Sequence, residues 1–177
     1  MEFQHELVIP DEGLPFKFFL FEGSQGNYVR EKHWHTSVEI FAVMEGSLTF
    51  YLNDEKHPLK AGELMIINSN EVHSIDSPEE NHTAVLQIPL KQFEDYFTAH
   101  RFVRFAGSVP EMDATLWRLV REMYKLYGKR GVGYEFKIRS FYYDVLYFLV
   151  NHGWTRRASR KYATAAAWML LRELLPI

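Results

Sequence analysis

A chain of 177 residues, 47% of them hydrophobic and 16% aromatic, can bury one core or two but is too short for several domains. The absence of cysteine excludes disulfides, thiolate nucleophiles and Cys-based zinc or iron–sulfur sites, so any metal must be held by His and carboxylate. The net charge of −3 is split: residues 1–112 carry 8 Lys+Arg against 18 Asp+Glu, and residues 113–177 carry 12 against 5. A basic half can indicate nucleic acid, but Arg118, Arg121, Lys125, Lys129 and Arg130 are spread along helical patterns as on a solvated face, and a basic patch alone is weak ground for DNA binding.

The N-terminus "MEFQHELVIPDEG" has neither the basic start nor the apolar stretch of a signal peptide, and no run approaches the roughly 20 apolar residues of a membrane span. A cytoplasmic protein is expected. From residue 16 to residue 88 the pattern is that of short strands separated by turns: "FKFFLF", "YVREKHWH", "SVEIFAVM", "SLTFYL", "LMII", "VHSI" and "TAVLQI". The dipeptide Glu45-Gly46 and the stretch "NDEKHP" are read as turns. In "SLTFYLN", Leu48, Phe50 and Leu52 alternate with Thr49, Tyr51 and Asn53, the period of a strand with one buried face. Strands this short and this frequent point to an antiparallel sandwich or barrel.

After Pro89 the period becomes helical. "LKQFEDYF" is expected as a short helix opened by that proline. Asp113 is expected to cap a longer helix carrying Leu116, Leu119, Val120, Met123, Leu126 and Tyr127, which Gly128 stops. A second helix should run from Tyr134 to His152 with Ile138, Phe141, Val145, Phe148 and Leu149 on one face. Beyond the linker "GWTRRASRK", "YATAAAWMLLRELL" reads as a third. The expected organisation is a barrel with an N-terminal arm over residues 1–89 and a helical appendage over 90–177, packing on the barrel or on a dimer partner.

Chemistry concentrates in "HWHTSVEIFAVMEG" (33–46). Alternate residues of an extended strand share a face, so His33, His35, Glu39, Phe41 and Val43 fall on one side. Imidazole and carboxylate suit divalent zinc, manganese, iron or nickel, and three such ligands leave coordination positions open to water or a small molecule. A fourth candidate, His73, begins a later strand after the loop "NSNE". The other histidines (His5, His57, His82, His100, His152) have no spacing that adds a ligand.

Together the two segments resemble the paired motifs of the cupin superfamily. Gly26, His33, His35, Glu39 and Gly46 fit the first motif with one extra residue after Gly26. In the second, Gly62 and His73 match, while Asn68, Asn70 and Ser77 replace the proline, glycine and asparagine. The resemblance implies a double-stranded β-helix (jelly-roll) barrel and a metal site made of His33, His35, Glu39 and His73. The run "HWHTSVEIFAVMEGSLTFYLNDEKHPLKAGELMIINSNEVHSI" further resembles the N-terminal ligand-binding domain of AraC-type transcription regulators, over about residues 10–155.

That resemblance implies a small-molecule effector, often a sugar or related metabolite, bound among barrel aromatics such as Phe41, Phe50 and Tyr51. It also implies a homodimer through the helical region, and DNA binding only by helix-turn-helix units that would follow Ile177 and are not in this chain. On this reading the chain is a sensing domain apart from its DNA-binding half, and not an enzyme. The alternative is a stand-alone metal-dependent cupin enzyme (dioxygenase, isomerase or decarboxylase). It would need a general acid or base, and Tyr51, His57 and Glu63 are its only candidates.

Overall fold

The computed structural model describes residues 4–23, 28–96, 104–105 and 110–152. Among these, eight strands run in chain order: β1 Gln4–His5, β2 Lys17–Glu22, β3 Tyr28–Trp34, β4 Val38–Leu52, β5 Glu55–Lys60, β6 Leu64–Ile67, β7 His73–Ser77 and β8 Asn81–Ile88. A 3-10 helix, Leu90–Tyr96, and two α-helices, α1 Pro110–Tyr127 and α2 Tyr134–His152, follow. The mainly β fold with a helical hairpin is therefore as expected. The third helix, Gly26 and His100 lie outside the described residues.

Strand β4 organises the barrel. Its first half, Val38–Gly46, pairs with β8 on one side and, over Glu39–Ala42, with β6 on the other. Its second half pairs with β5 and β7. One strand thus belongs to both curled sheets, and the turn expected at Glu45-Gly46 is instead a bend inside it, with a register shift between Val43 and Glu45. Gly46 makes the bend feasible: its φ is +73°, and a Cβ there would overlap the Glu80 carbonyl. The bend exposes the Val43 carbonyl to a third element, and the Trp117 indole donates to it at 3.2 Å from α1.

Two other boundaries differ from the sequence reading. Only Asn53 and Asp54 form the turn read in "NDEKHP", both at positive φ (50° and 69°), and β5 starts at Glu55. Two-residue loops with both residues left-handed match the twist of the hairpin they close. Helix α1 starts at Pro110 rather than at an Asp113 cap, since proline suits a first helical position, where no N–H is needed.

Residues 38 to 43 are buried on both faces of β4, and the two faces serve different cores. Val38, Ile40 and Ala42 point outward and join Phe16, Phe18, Leu86 and Ile88 under the helices. There Leu116, Val120 and Met123 of α1 and Ile138, Tyr142, Val145 and Leu149 of α2 are at most 0% exposed, and Phe16 stacks on Tyr142 at 4.2 Å. The helical spacing read from the sequence therefore marks a face packed on the barrel. Phe41 and Val43 point inward and form a smaller core with Leu48, Phe50, Ile67, Ile75 and Val85.

Candidate metal centre

The inward face of β4 carries Glu39 two residues before Phe41, so the carboxylate sits beside the inner apolar core. Register then brings the histidines to it. His33 on β3 faces His73 on β7, and His73 is also opposite Leu52 of β4. His35 follows β3 and Gln87 of β8 lies opposite Glu39. All are buried: His33 is 4% exposed, Glu39 2%, and His35, His73 and Gln87 1% each.

Each imidazole is fixed by its own backbone. The Nδ1 of His33 reaches the Glu31 carbonyl at 2.8 Å, that of His35 the Ser37 carbonyl at 3.0 Å, and that of His73 the Glu71 carbonyl at 3.0 Å. A ring that donates from Nδ1 to a carbonyl presents Nε2 as the free lone pair, the arrangement that orients metal-binding histidines. Two Nε2 atoms point at one carboxylate oxygen. His35 Nε2 lies 2.9 Å from Glu39 Oε2 and His73 Nε2 lies 3.4 Å from it. The second distance is electrostatic contact without hydrogen-bond alignment, and His73 Nε2 is a buried nitrogen with no hydrogen bond. The other oxygen of Glu39 accepts from Gln87 Nε2 at 2.8 Å.

One ligand atom each from His35, Glu39 and His73 therefore lies within 4.8 Å of the others, a set that fits a divalent ion in donor type, burial and spacing. His33 stands beside the set rather than in it. Its ring is 4.2 Å from that of His73, but its Nε2 faces the carboxylate of Glu6 at 3.4 Å.

The electrostatics are those of a buried ion pair between Glu39 and its histidines. Burial alone would raise the Glu39 carboxyl, yet the His35 and His73 imidazoles overcome it and hold it well below the usual carboxylate range. Burial opposes charging His35, but the Glu39 carboxylate prevails and raises it above the ordinary imidazole value. His33 is pushed down, by burial first and by the nearby His73 second. Glu6 is half buried, which opposes ionisation, but Gln87 and Arg30 lower its pKa.

Sequence reasoning named four of these residues and missed three. Glu6 arrives because β1 pairs in parallel with the end of β3, with Gln4 opposite His33. Arg30 donates to Glu6 Oε2 at 2.9 Å. Gln87 had a signal that went unread, as the single polar residue in the apolar run "AVLQIPL". Of the aromatics, Phe41 and Phe50 meet edge to face at 4.4 Å within the inner core, and Tyr51 points the other way, into a recess of about 200 Å3 that also borders His73. His57 and Glu63 line a larger recess of about 700 Å3 between β5, β6 and α1.

A third cluster ties the centre to the helices. Glu71, whose carbonyl holds His73, caps the Asn68 N–H at 2.8 Å with its carboxylate and pairs with Arg104. The Asn68 side chain then grips both backbone groups of Phe105, accepting from its N–H at 2.7 Å and donating to its carbonyl at 3.2 Å. Phe105 in turn packs on Phe93 of the 3-10 helix at 5.1 Å.

A strand that serves two sheets, an inward His/Glu cluster and a helical hairpin on the outer face are the features of a cupin-type barrel with a candidate site inside it. More specifically, the family model of the AraC-like ligand-binding domain matches residues 15–146, and the chain belongs to that family. Similar solved structures include a cupin superfamily protein from Desulfitobacterium hafniense, at 10% identity and TM-score 0.42 over 47% of this chain and 74% of that one. A cupin-2 domain protein from Shewanella frigidimarina is 28% identical at TM-score 0.37, over 45% of this chain and 76% of that one. A protein described as a predicted oxalate decarboxylase from Thermotoga maritima is 25% identical at TM-score 0.40, over 43% and 69%. No curated protein sequence matches the chain. No described helix is long and apolar enough to cross a membrane.

Proposed function

We propose that this chain is the effector-sensing part of an AraC-type transcription regulator, and that a small metabolite binds inside the barrel at a centre holding one divalent ion. The reading rests above all on the buried convergence of His35, Glu39 and His73 within 4.8 Å, in a domain of a ligand-binding family. Those three residues would hold the ion. When bound, it supplies a Lewis-acidic anchor for an effector oxygen.

The chain's own groups do the rest. Gln87 orients Glu39, His33 offers a further nitrogen at the edge of the centre, and Phe41 and Phe50 give the effector an apolar floor. Tyr51 lines the rim. Residues 1–89 sense, and residues 90–177 carry the signal to a homodimer contact and to a DNA-binding domain outside this chain, in the cytoplasm. The link is the chain of contacts from His73 through Glu71 and Asn68 to Phe105, which can pass on a change only if the effector favours one arrangement of it.

Two measurements test the reading. Elemental analysis of the purified protein should find about one equivalent of a transition metal in the wild type and a clear deficit in the double variant His35→Ala/His73→Ala. Thermal-shift screening of metabolites should find a compound that raises the melting temperature, as any ligand of the native state does. Equal metal content in the two proteins would remove the ligand set, and a screen without any stabilising compound would remove the sensor.

A further inference from the structure

The N-terminal arm reaches the centre with a single carboxylate, and the groups that receive it already form a carboxylate receptor. Glu6 Oε2 accepts from Arg30 at 2.9 Å and lies 3.4 Å from His33 Nε2, while Oε1 accepts from Gln87 Nε2 at 3.3 Å. Arg30 and His33 belong to β3 and Gln87 to β8, strands of opposite sheets, so the barrel builds this receptor and the arm merely fills it. Gln87 uses its amide twice, on Glu6 and on Glu39, which places the receptor next to the metal ligands.

The arm itself is lightly attached. Strand β1 is two residues long and both are exposed, and the arm's apolar residues Leu7 and Ile9 are 73% and 65% exposed. A segment with so little buried apolar surface opens at low free-energy cost. The centre behind it is closed by comparison, with His33, His35, Glu39, His73 and Gln87 each at most 4% exposed. Glu6, on the arm, borders them with its side chain 19% exposed.

We propose that Glu6 is an internal stand-in for the effector, which is a small carboxylic acid. Its carboxylate takes the place of Glu6 on Arg30, His33 and Gln87, and the arm leaves β3. This rests on the effector-site reading above and narrows the ligand from metabolites in general to acids. A neutral sugar in the same place would forgo the charge-assisted contact with the Arg30 guanidinium and leave the buried Gln87 amide with Glu39 as its one anionic partner.

Arm release has a built-in reporter, because the His5 ring lies 4.3 Å from the Trp34 ring. The full chain is titrated with malonate and succinate at constant ionic strength, with arabinose and glucose as neutral probes, while tryptophan emission is followed and Trp34→Phe supplies the background. At least one acid should give a saturable change. Glu6→Ala should show the released-arm emission without ligand and bind that acid about ten-fold tighter or more, because a tethered competitor acts at roughly millimolar effective concentration. Arg30→Ala should weaken binding by about ten-fold or more, as loss of a charge-assisted contact does. Circular dichroism of each variant verifies the fold.

Equal affinity in wild type and Glu6→Ala overturns the proposal, and so does an absence of acid binding in both. A response to arabinose or glucose without one to the acids also overturns it, and leaves the effector-site reading standing.

Discussion

Replacing Asn68 by alanine should loosen the helices from the barrel while leaving the candidate metal ligands in place. The substitution removes two hydrogen bonds to the Phe105 backbone, at 2.7 and 3.2 Å, and a weaker one to Glu71 at 3.3 Å. Phe105 is 1% exposed, so its N–H and carbonyl would lose their partner where water does not readily replace it. Each of the two Phe105 backbone groups left buried and unpaired costs roughly 1–3 kcal/mol, and at about 1.5 kcal/mol apiece, in the lower half of that range, the total is about 3 kcal/mol. For a domain of this size that lowers the melting temperature by about 6–12 °C. Calorimetry measures the shift, and hydrogen exchange of the α1 amides shows where the loosening lies. Metal content should stay at the wild-type level, because His73 is held by the Glu71 main chain, which the substitution does not touch. A melting temperature within about 1 °C of the wild type, with unchanged α1 exchange, would refute the idea that this clasp joins centre to helices.

Glu39→Gln keeps the shape of the centre but removes its anion, and isothermal titration with zinc should show affinity reduced at least ten-fold; an unchanged affinity would exclude Glu39 as a ligand. In metal-free protein, the His35–Glu39 pair stabilises through both partners. The raised His35 contributes below its ordinary value of 6.5 and loses that contribution as pH climbs through its folded value, while the lowered Glu39 contributes above its ordinary 4.5 and loses it as pH falls through its folded value. The stability lost in Glu39→Gln should therefore be greatest between about pH 4.5 and 6.5 and smaller at pH 9, as urea denaturation can check; a pH-independent difference would contradict the pairing. Gly46→Ala places a Cβ against the Glu80 carbonyl at φ +73°, so a loss of about 2–4 kcal/mol in denaturant melts is expected. Leu149→Ala, at 0% exposure between α2 and the barrel, should cost about 2–5 kcal/mol, and a smaller loss would mean that the hairpin is loosely packed.

The part of the centre that was legible in the sequence is the part written at short range. His33, His35 and Glu39 were legible as ligand types at even spacings, but not as one strand face: β3 ends at Trp34 and β4 begins at Val38, so the break at residues 35–37 and the pairing of both strands, not the period of two, bring them together. His73 needed the motif resemblance, since its approach to Glu39 depends on β7 pairing with both β3 and β4. Glu6 could not be found that way. Its position comes from a parallel pairing of two residues at the chain's start, and nothing in "FQHELVI" encodes the partner. The misread boundaries have a similar cause. Glu45-Gly46 has turn chemistry locally, but β8 pairs along β4 right through Glu45 and Gly46, opposite His82 and Asn81, and that ladder keeps the strand continuous. The helical stripes were plain, whereas their direction toward the barrel rather than a second molecule required the structure.

The two-faced burial of β4 and β8 bears on how this domain could change its specificity if the proposed site is the effector's. Odd-numbered positions, Glu39, Phe41 and Val43 on one strand and Thr83, Val85 and Gln87 on the other, look into the barrel. Even-numbered positions, Val38, Ile40, Ala42, Ala84, Leu86 and Ile88, support the helices. Specificity and architecture are thus interleaved residue by residue along the same two strands, yet separated by the sheet itself. A lineage, or a library, that varies only the odd positions can exchange one effector for another while the surface that the helices read stays the same.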